Sequence, residues 1–162
     1  MNVIGGGGHG LDILYQQTGH EHWWDSDAAW VAAGSPLPVL VGINDPRIRR
    51  VVAERHNIPG GVWVHPDASV GPHVRMGDHV HVNAGVTVTR TTIGKFTTVS
   101  PGANICGDVK IGETVTVGAG ATVCQFVTVG DGAIIGAGAV VPPHTIIPAG
   151  ETWVGVPAVA VR

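Results

Sequence analysis

IGKFTTVSPGANICGDVKIGETVTVGAGAT, residues 93–122, places an aliphatic residue at Ile93, Val99, Ile105, Ile111 and Val117, one every six residues. Gly, Asp, Ser or Pro falls in the places between, where a chain turns easily. A six-residue period keeps no single face of a 3.6-residue helix. It suits short strands joined by tight corners. Reading outward, the same unit recurs upstream as VHPDAS (64–69), VGPHVR (70–75), MGDHVH (76–81) and VNAGVT (82–87). Downstream it continues from VCQFVT (123–128) to IPAGET (147–152), and all fifteen units begin with Val, Ile or Met. The fifth place is usually small or β-branched. Three such strands close one triangular coil, so the pattern predicts a mainly β fold, a parallel β-helix of about five coils. At about 4.8 Å per coil it stands roughly 24 Å tall, with the first-place aliphatics stacked as its core.

The period fails once. In VTVTRTTIG, residues 86–94, the unit that begins at Val88 is VTRTT and lacks one residue.

Composition narrows the function. Charged residues are 13% of the chain, against about 25% in an average soluble domain. The net charge is −3, and the longest basic cluster is RIRR at 47–50. That offers no footprint for nucleic acid or an anionic membrane. The sequence holds no apolar run of membrane-spanning length, and MNVIGGGGHG lacks the pattern of a signal peptide. With two cysteines and no such signal, a cytoplasmic location and free thiols are expected.

The first 61 residues read as a separate small α/β head, with residues 62–162 forming the β-helix and a C-terminal tail. MNVI is a short apolar strand. In GGGGHG, Gly5, Gly7 and Gly10 match G-x-G-x-x-G, and LDILYQQT reads as a helix. A strand, a glycine turn and a helix N-terminus make an anion site, because free backbone N–H groups point at the ligand. Asp25 and Asp27 lie where an acid can bind a ribose. LPVLVGI (37–43) reads as a second buried strand. DPRIRRVVAERHN, from Asp45, reads as a helix with Asp as N-cap and Pro in the first turn. A nicotinamide-dependent enzyme is the competing reading of the glycines, but a dinucleotide fold needs two mononucleotide-binding halves. Only one fits ahead of the repeat.

From Val64 to about Ala158 the chain resembles the hexapeptide-repeat acyltransferases, and that resemblance implies a left-handed β-helix. Taken with GGGGHG, WDSD (24–27), the IND-x-R-x-R-R segment from Ile43 and the terminal GVPA (155–158), the whole chain is similar to the sialic acid O-acetyltransferases and bacillosamine-pathway sugar N-acetyltransferases. The resemblance implies a homotrimer that moves acetyl from acetyl-CoA to an amine or hydroxyl of a sugar, often nucleotide-linked. It implies a Rossmann-like head that binds the sugar nucleotide, with Gly7, Gly8, His9, Asp25, Ser26, Asn44 and Asp45 meeting the acceptor. Thr98, Gly107, Ala119 and Ala137 align with places that meet the CoA thioester and pantetheine arm. Small residues there suit a ligand that approaches the coil backbone closely. No metal is implied.

The same resemblance places a catalytic His and an acid at the third and fourth places of the hexad before IG-x-F. Here that hexad is VTRTT, so the altered turn is residues 88–92 and Arg90 stands for the His. A second family histidine aligns with Thr98. Three readings stay open: a base from nearby, His81 ahead of His79 and His73; a reaction driven by binding and orientation, with Arg90 stabilising the oxyanion; or a non-catalytic ligand-binding protein or trimeric scaffold. The pairs His79/His81 and His20/His22 have an i, i+2 spacing that can hold a metal, but no third ligand is placed. Cys106 and Cys124 are one full coil apart and should stack as free thiols. Trp23, Trp24 and Trp30 suit either base stacking or core packing. After GVPA the family usually carries a basic residue, where this chain has Val159, with Arg162 further on.

Overall fold

The computed structural model describes the backbone at residues 2–4, 22–24 and 39–40, and residues 41–161 in full. The chain divides into two compact units, Met1–Gly61 and Val62–Arg162.

In the first unit three short strands, β1 (Asn2–Ile4), β2 (His22–Trp24) and β3 (Val39–Val41), form a parallel sheet in the order β2-β1-β3. The strands read at MNVI and LPVLVGI are both present. HWW forms a third strand that the sequence reading had left to ring stacking or metal binding. Helix α1, Pro46–Arg55, starts as its sequence dictates. The Asp45 carboxylate accepts from the Arg47 and Ile48 amides at 2.8 and 3.3 Å, and Pro46 opens the first turn. Arg49 is fully buried, and its Nη1 donates to the Ile43 carbonyl at 2.6 Å and to that of Asn44 at 3.2 Å. Burial lowers its pKa to about 9, against the opposing pull of Asp45. This arginine therefore holds the loop between β3 and α1 by its backbone.

The second unit is a parallel solenoid of about five turns. Its strands are two or three residues long and stack into three walls. Wall one runs from Trp63–Val64 through His81–Val82, Thr98–Val99, Thr116–Val117 and Ile134–Ile135 to Thr152–Val154, where antiparallel Val159–Ala160 closes it. Wall two stacks Ser69–Val70, Thr87–Val88, Asn104–Ile105, Thr122–Val123 and Val140–Val141. Wall three stacks Arg75–Met76, Thr92–Ile93, Lys110–Ile111, Thr128–Val129 and Ile146–Ile147.

Most strands are the sixth place of one hexad and the first of the next, and in most of them the two side chains point out and in by turns. First and fifth places fill the core: Val82, Val86, Val99, Ala103, Val117, Ala121, Ile135 and Ala139 are each 0% exposed. The fourth place takes a left-handed backbone, as at Gly85, Phe96, Gly102, Thr114 and Phe126. Its N–H donates to the third-place carbonyl of the preceding coil, as from Gly102 to Ala84 at 2.9 Å. These bonds tie the corners together between coils.

Candidate functional site

The contracted hexad sits on the edge between walls two and three. Its strands keep register: Thr87 pairs with Asn104, and Thr92 with Lys110. The missing residue therefore comes wholly out of the corner. Arg90 does the work of two places. Its φ of +39° takes the left-handed role of the fourth, and its carbonyl accepts from Asp108 N at 2.8 Å, the role of the third. Thr91 fills the fifth place and is buried; its hydroxyl reaches the Thr89 carbonyl at 2.7 Å and that of Cys106 at 3.1 Å. That bonding offsets the cost of a polar group in the core.

An open cleft of about 330 Å³ lies beside the contracted corner, lined by His73, Arg75, Arg90, Thr92, Asp108 and Lys110 among others. Arg90 Nη2 lies 2.6 Å from Asp108 Oδ2. The guanidinium also passes over Gly107, where an added Cβ would stand 3.4 Å from Nη2. The space above Gly107 is thus taken up by Arg90, a use of glycine other than the open ligand approach expected for it.

Of the three histidines weighed as a base, the structure favours a different one from the sequence. His81 is 0% exposed, with its ring centroid 6.0 Å from that of Trp63 in an edge-on arrangement. An imidazole so enclosed meets no acceptor, and its role as general base is corrected on that ground. His79 is 6% exposed and stacks flat on Phe96 at 4.9 Å. His73, the third, lies exposed on the cleft with Arg90. No local signal in VGPHVR marks it, since its neighbours on the cleft come from the next coils.

Thr98 is also 0% exposed, in register between His81 and Thr116 on wall one, so contact with a thioester is corrected in the same way. Ala119 and Ala137 are exposed on a different edge, between walls one and two, where Gly138 N donates to Ala119 O at 2.8 Å. The structure therefore groups Arg90 with Gly107, and Ala119 with Ala137, at opposite edges of wall two. Asn44 and Asp45 lie between β3 and α1, where Asp45 caps the helix. Burial opposes ionisation of Asp45, but the Ile48 and Arg47 amides and the Arg47 guanidinium outweigh it and hold the carboxyl below the usual range. Gly7, Gly8, His9, Asp25 and Ser26 lie outside the described residues, as do the side chains of Trp23 and Trp24.

Cys106 and Cys124 are free and half-buried at successive corners of the Arg90 edge. Burial, and then Cys106 beside it, push the Cys124 thiol up, which keeps it protonated and weakly nucleophilic. Among the described residues no group of three or more His, Cys, Asp or Glu could hold a metal, and no helix is long and apolar enough to cross a membrane.

Comparison with known proteins fits this geometry. The family of bacterial transferase hexapeptide (six repeats) matches residues 90–125 and 111–143. The acetyltransferase domain of PglB from Neisseria gonorrhoeae, solved with acetyl coenzyme A, is 28% identical with a TM-score of 0.81, over 99% of this chain and 98% of that one. PerB from Caulobacter crescentus, solved with CoA and GDP-perosamine, is 27% identical with a TM-score of 0.79, over 99% and 96%. WeeI from Acinetobacter baumannii, at 21% identity, TM-score 0.75 and coverage of 99% and 98%, shares the fold. No curated protein matches the chain significantly. The chain thus matches the hexapeptide-repeat family over residues 90–143, and it resembles acetyltransferases solved with acetyl coenzyme A or CoA over 99% of its length.

Proposed function

We propose that the protein transfers acetyl from acetyl-CoA to an amine or hydroxyl of a sugar, with a nucleotide-linked sugar as the acceptor class. The observation that carries this reading is the full-length likeness, at 27–28% identity, to enzymes solved with acetyl coenzyme A or with CoA and a nucleotide sugar. The head is then a Rossmann-like binder of the sugar nucleotide, and the solenoid is left-handed. Arg90 with Gly107 and Ala119 with Ala137 lie at opposite edges of wall two. A homotrimer, in which one copy's Arg90 edge faces another copy's alanine edge, gathers them around one donor.

The chemistry runs at the cleft. The acceptor nitrogen or oxygen attacks the thioester carbonyl carbon while His73 takes its proton. Arg90, held by Asp108, stabilises the oxygen that gains charge. The C–S bond then breaks, and CoA leaves as the thiol with the proton returned from His73. The test is release of CoA thiol in the presence of amino-sugar nucleotides. Turnover is expected, with kcat lowered about 10²-fold or more and KM little changed in His73→Asn. Absence of turnover, together with no binding of acetyl-CoA by calorimetry, would leave a non-catalytic scaffold.

A further inference from the structure

Most other basic residues of the described chain are engaged. Arg47 pairs with Asp45, Arg50 with Glu54, Lys95 with Asp78 and Arg90 with Asp108. Arg49 is bonded to backbone carbonyls. Arg75 and Lys110 differ: neither has an acidic partner among the described residues, and both line the same cleft. Their placement follows from register. Arg75 pairs with Thr92, and Thr92 with Lys110, so the two cations stand on the outer face of wall three, two coils apart, with one short side chain between them. Two coils is about 9.6 Å of backbone. Arg90 adds a third cation at the corner of the middle coil, and Asp108 is the only carboxylate in the lining. The cleft is therefore net positive in a chain whose net charge is −3.

Two cations on one wall, short of acids, leave room for an anion between them. From this geometry we infer that the cleft is an oxyanion subsite, in which Arg75 and Lys110 hold a phosphate or carboxylate borne by the acceptor. The inference rests on the acetyl-transfer reading and narrows it to acceptors that carry a negative group near the reacting atom. At about 330 Å³ the cleft stands at the small end of ligand sites, which run from about 300 Å³ upward. It suits one sugar with its acidic substituent rather than an entire sugar nucleotide. Arg90 remains pinned to Asp108, and the two unpaired cations supply the specificity.

The test titrates the full chain with glucose, glucose 1-phosphate, glucuronate and 3′,5′-ADP, the last standing for the donor's own phosphates. Glucose 1-phosphate or glucuronate should bind, more weakly as salt rises, and glucose should not. Arg75→Gln and Lys110→Gln should each weaken that binding about three- to fivefold, and about tenfold or more together. Both side chains are exposed, so thermal melting should show the variants folded. Glucose binding as well as the anions, or anion binding unchanged in the double variant, overturns the inference. So does a double variant that loses 3′,5′-ADP alone, because the charge would then serve the donor. CoA release is followed in parallel. Transfer to an amino-sugar nucleotide whose sugar bears no acidic substituent, left untouched by the double variant, overturns the subsite and keeps acetyl transfer. Anion binding without any transfer keeps the subsite and overturns the enzymatic reading.

Discussion

Thr97 shows how a polar atom is tolerated in this core. It fills a fifth place, is 0% exposed, donates from Oγ1 to the Gly112 carbonyl at 2.8 Å and accepts from Val115 N at 3.1 Å. Thr97→Val keeps the shape but strands a buried N–H and a carbonyl. A loss of about 1–3 kcal/mol is expected, read from the urea midpoint at constant slope, with Thr97→Ser costing less. Single residues divide clearly by what the sequence could reveal. The small or β-branched character of the fifth place was legible, because the period fixes which residues point inward. His81 was not, since a sixth-place residue normally faces outward and nothing nearby announces that Trp63 packs against it. His73 was legible only as a residue of the right chemistry, because the cleft beside it is lined by residues of the next two coils.

At the scale of elements, the corner absorbs the contraction and the strands do not. Val88 and Thr92 keep their partners one coil up while Arg90 carries both the φ of the fourth place and the carbonyl of the third. The sequence located the slip between Val88 and Ile93, but local spacing could not assign it to corner or strand. Inter-coil hydrogen bonds decide that. One glycine inserted between Thr89 and Arg90 restores six residues. It should leave melting within a few degrees, since corner length costs little when register is kept, and should weaken anion binding in the cleft. A large drop in melting would show that the strands had shifted instead. In the first unit the cap of α1 was legible from Asp45-Pro46. Because Asp45 is held below its ordinary pKa, its stabilisation is present above the unfolded value of about 3.9 and is lost as pH falls through the lower folded value. Asp45→Ala should therefore cost about 1 kcal/mol at neutral pH, and the gap from the parent should close in acid, as denaturant melts at several pH values would show.

For the molecule as a whole, the repeat announced its architecture because every coil reuses one pattern of inward and outward places. The same count groups residues by edge: Ala119 and Ala137 are one full coil apart, as Cys106 and Cys124 are, while Gly107 is not. The order of walls agrees, with Gly107 on one edge and the two alanines on another. That separation makes assembly testable. Sedimentation should give a particle near three times the 16.6 kDa chain. Ala137→Trp, at an exposed corner, should leave the fold intact and weaken acetyl-CoA by at least about tenfold, as seen by calorimetry; unchanged binding would take the alanine edge out of the donor site. The fourth-place corner has a wider consequence. Down one edge it presents His73, Arg90, Asp108, Phe126 and His144, each with the same left-handed backbone. Reading frame and scaffold are uncoupled there: losing one codon from a corner changes which chemical group is displayed, while the layers above and below go on stacking. Such a protein can rewrite its reactive surface by deletion as readily as by substitution.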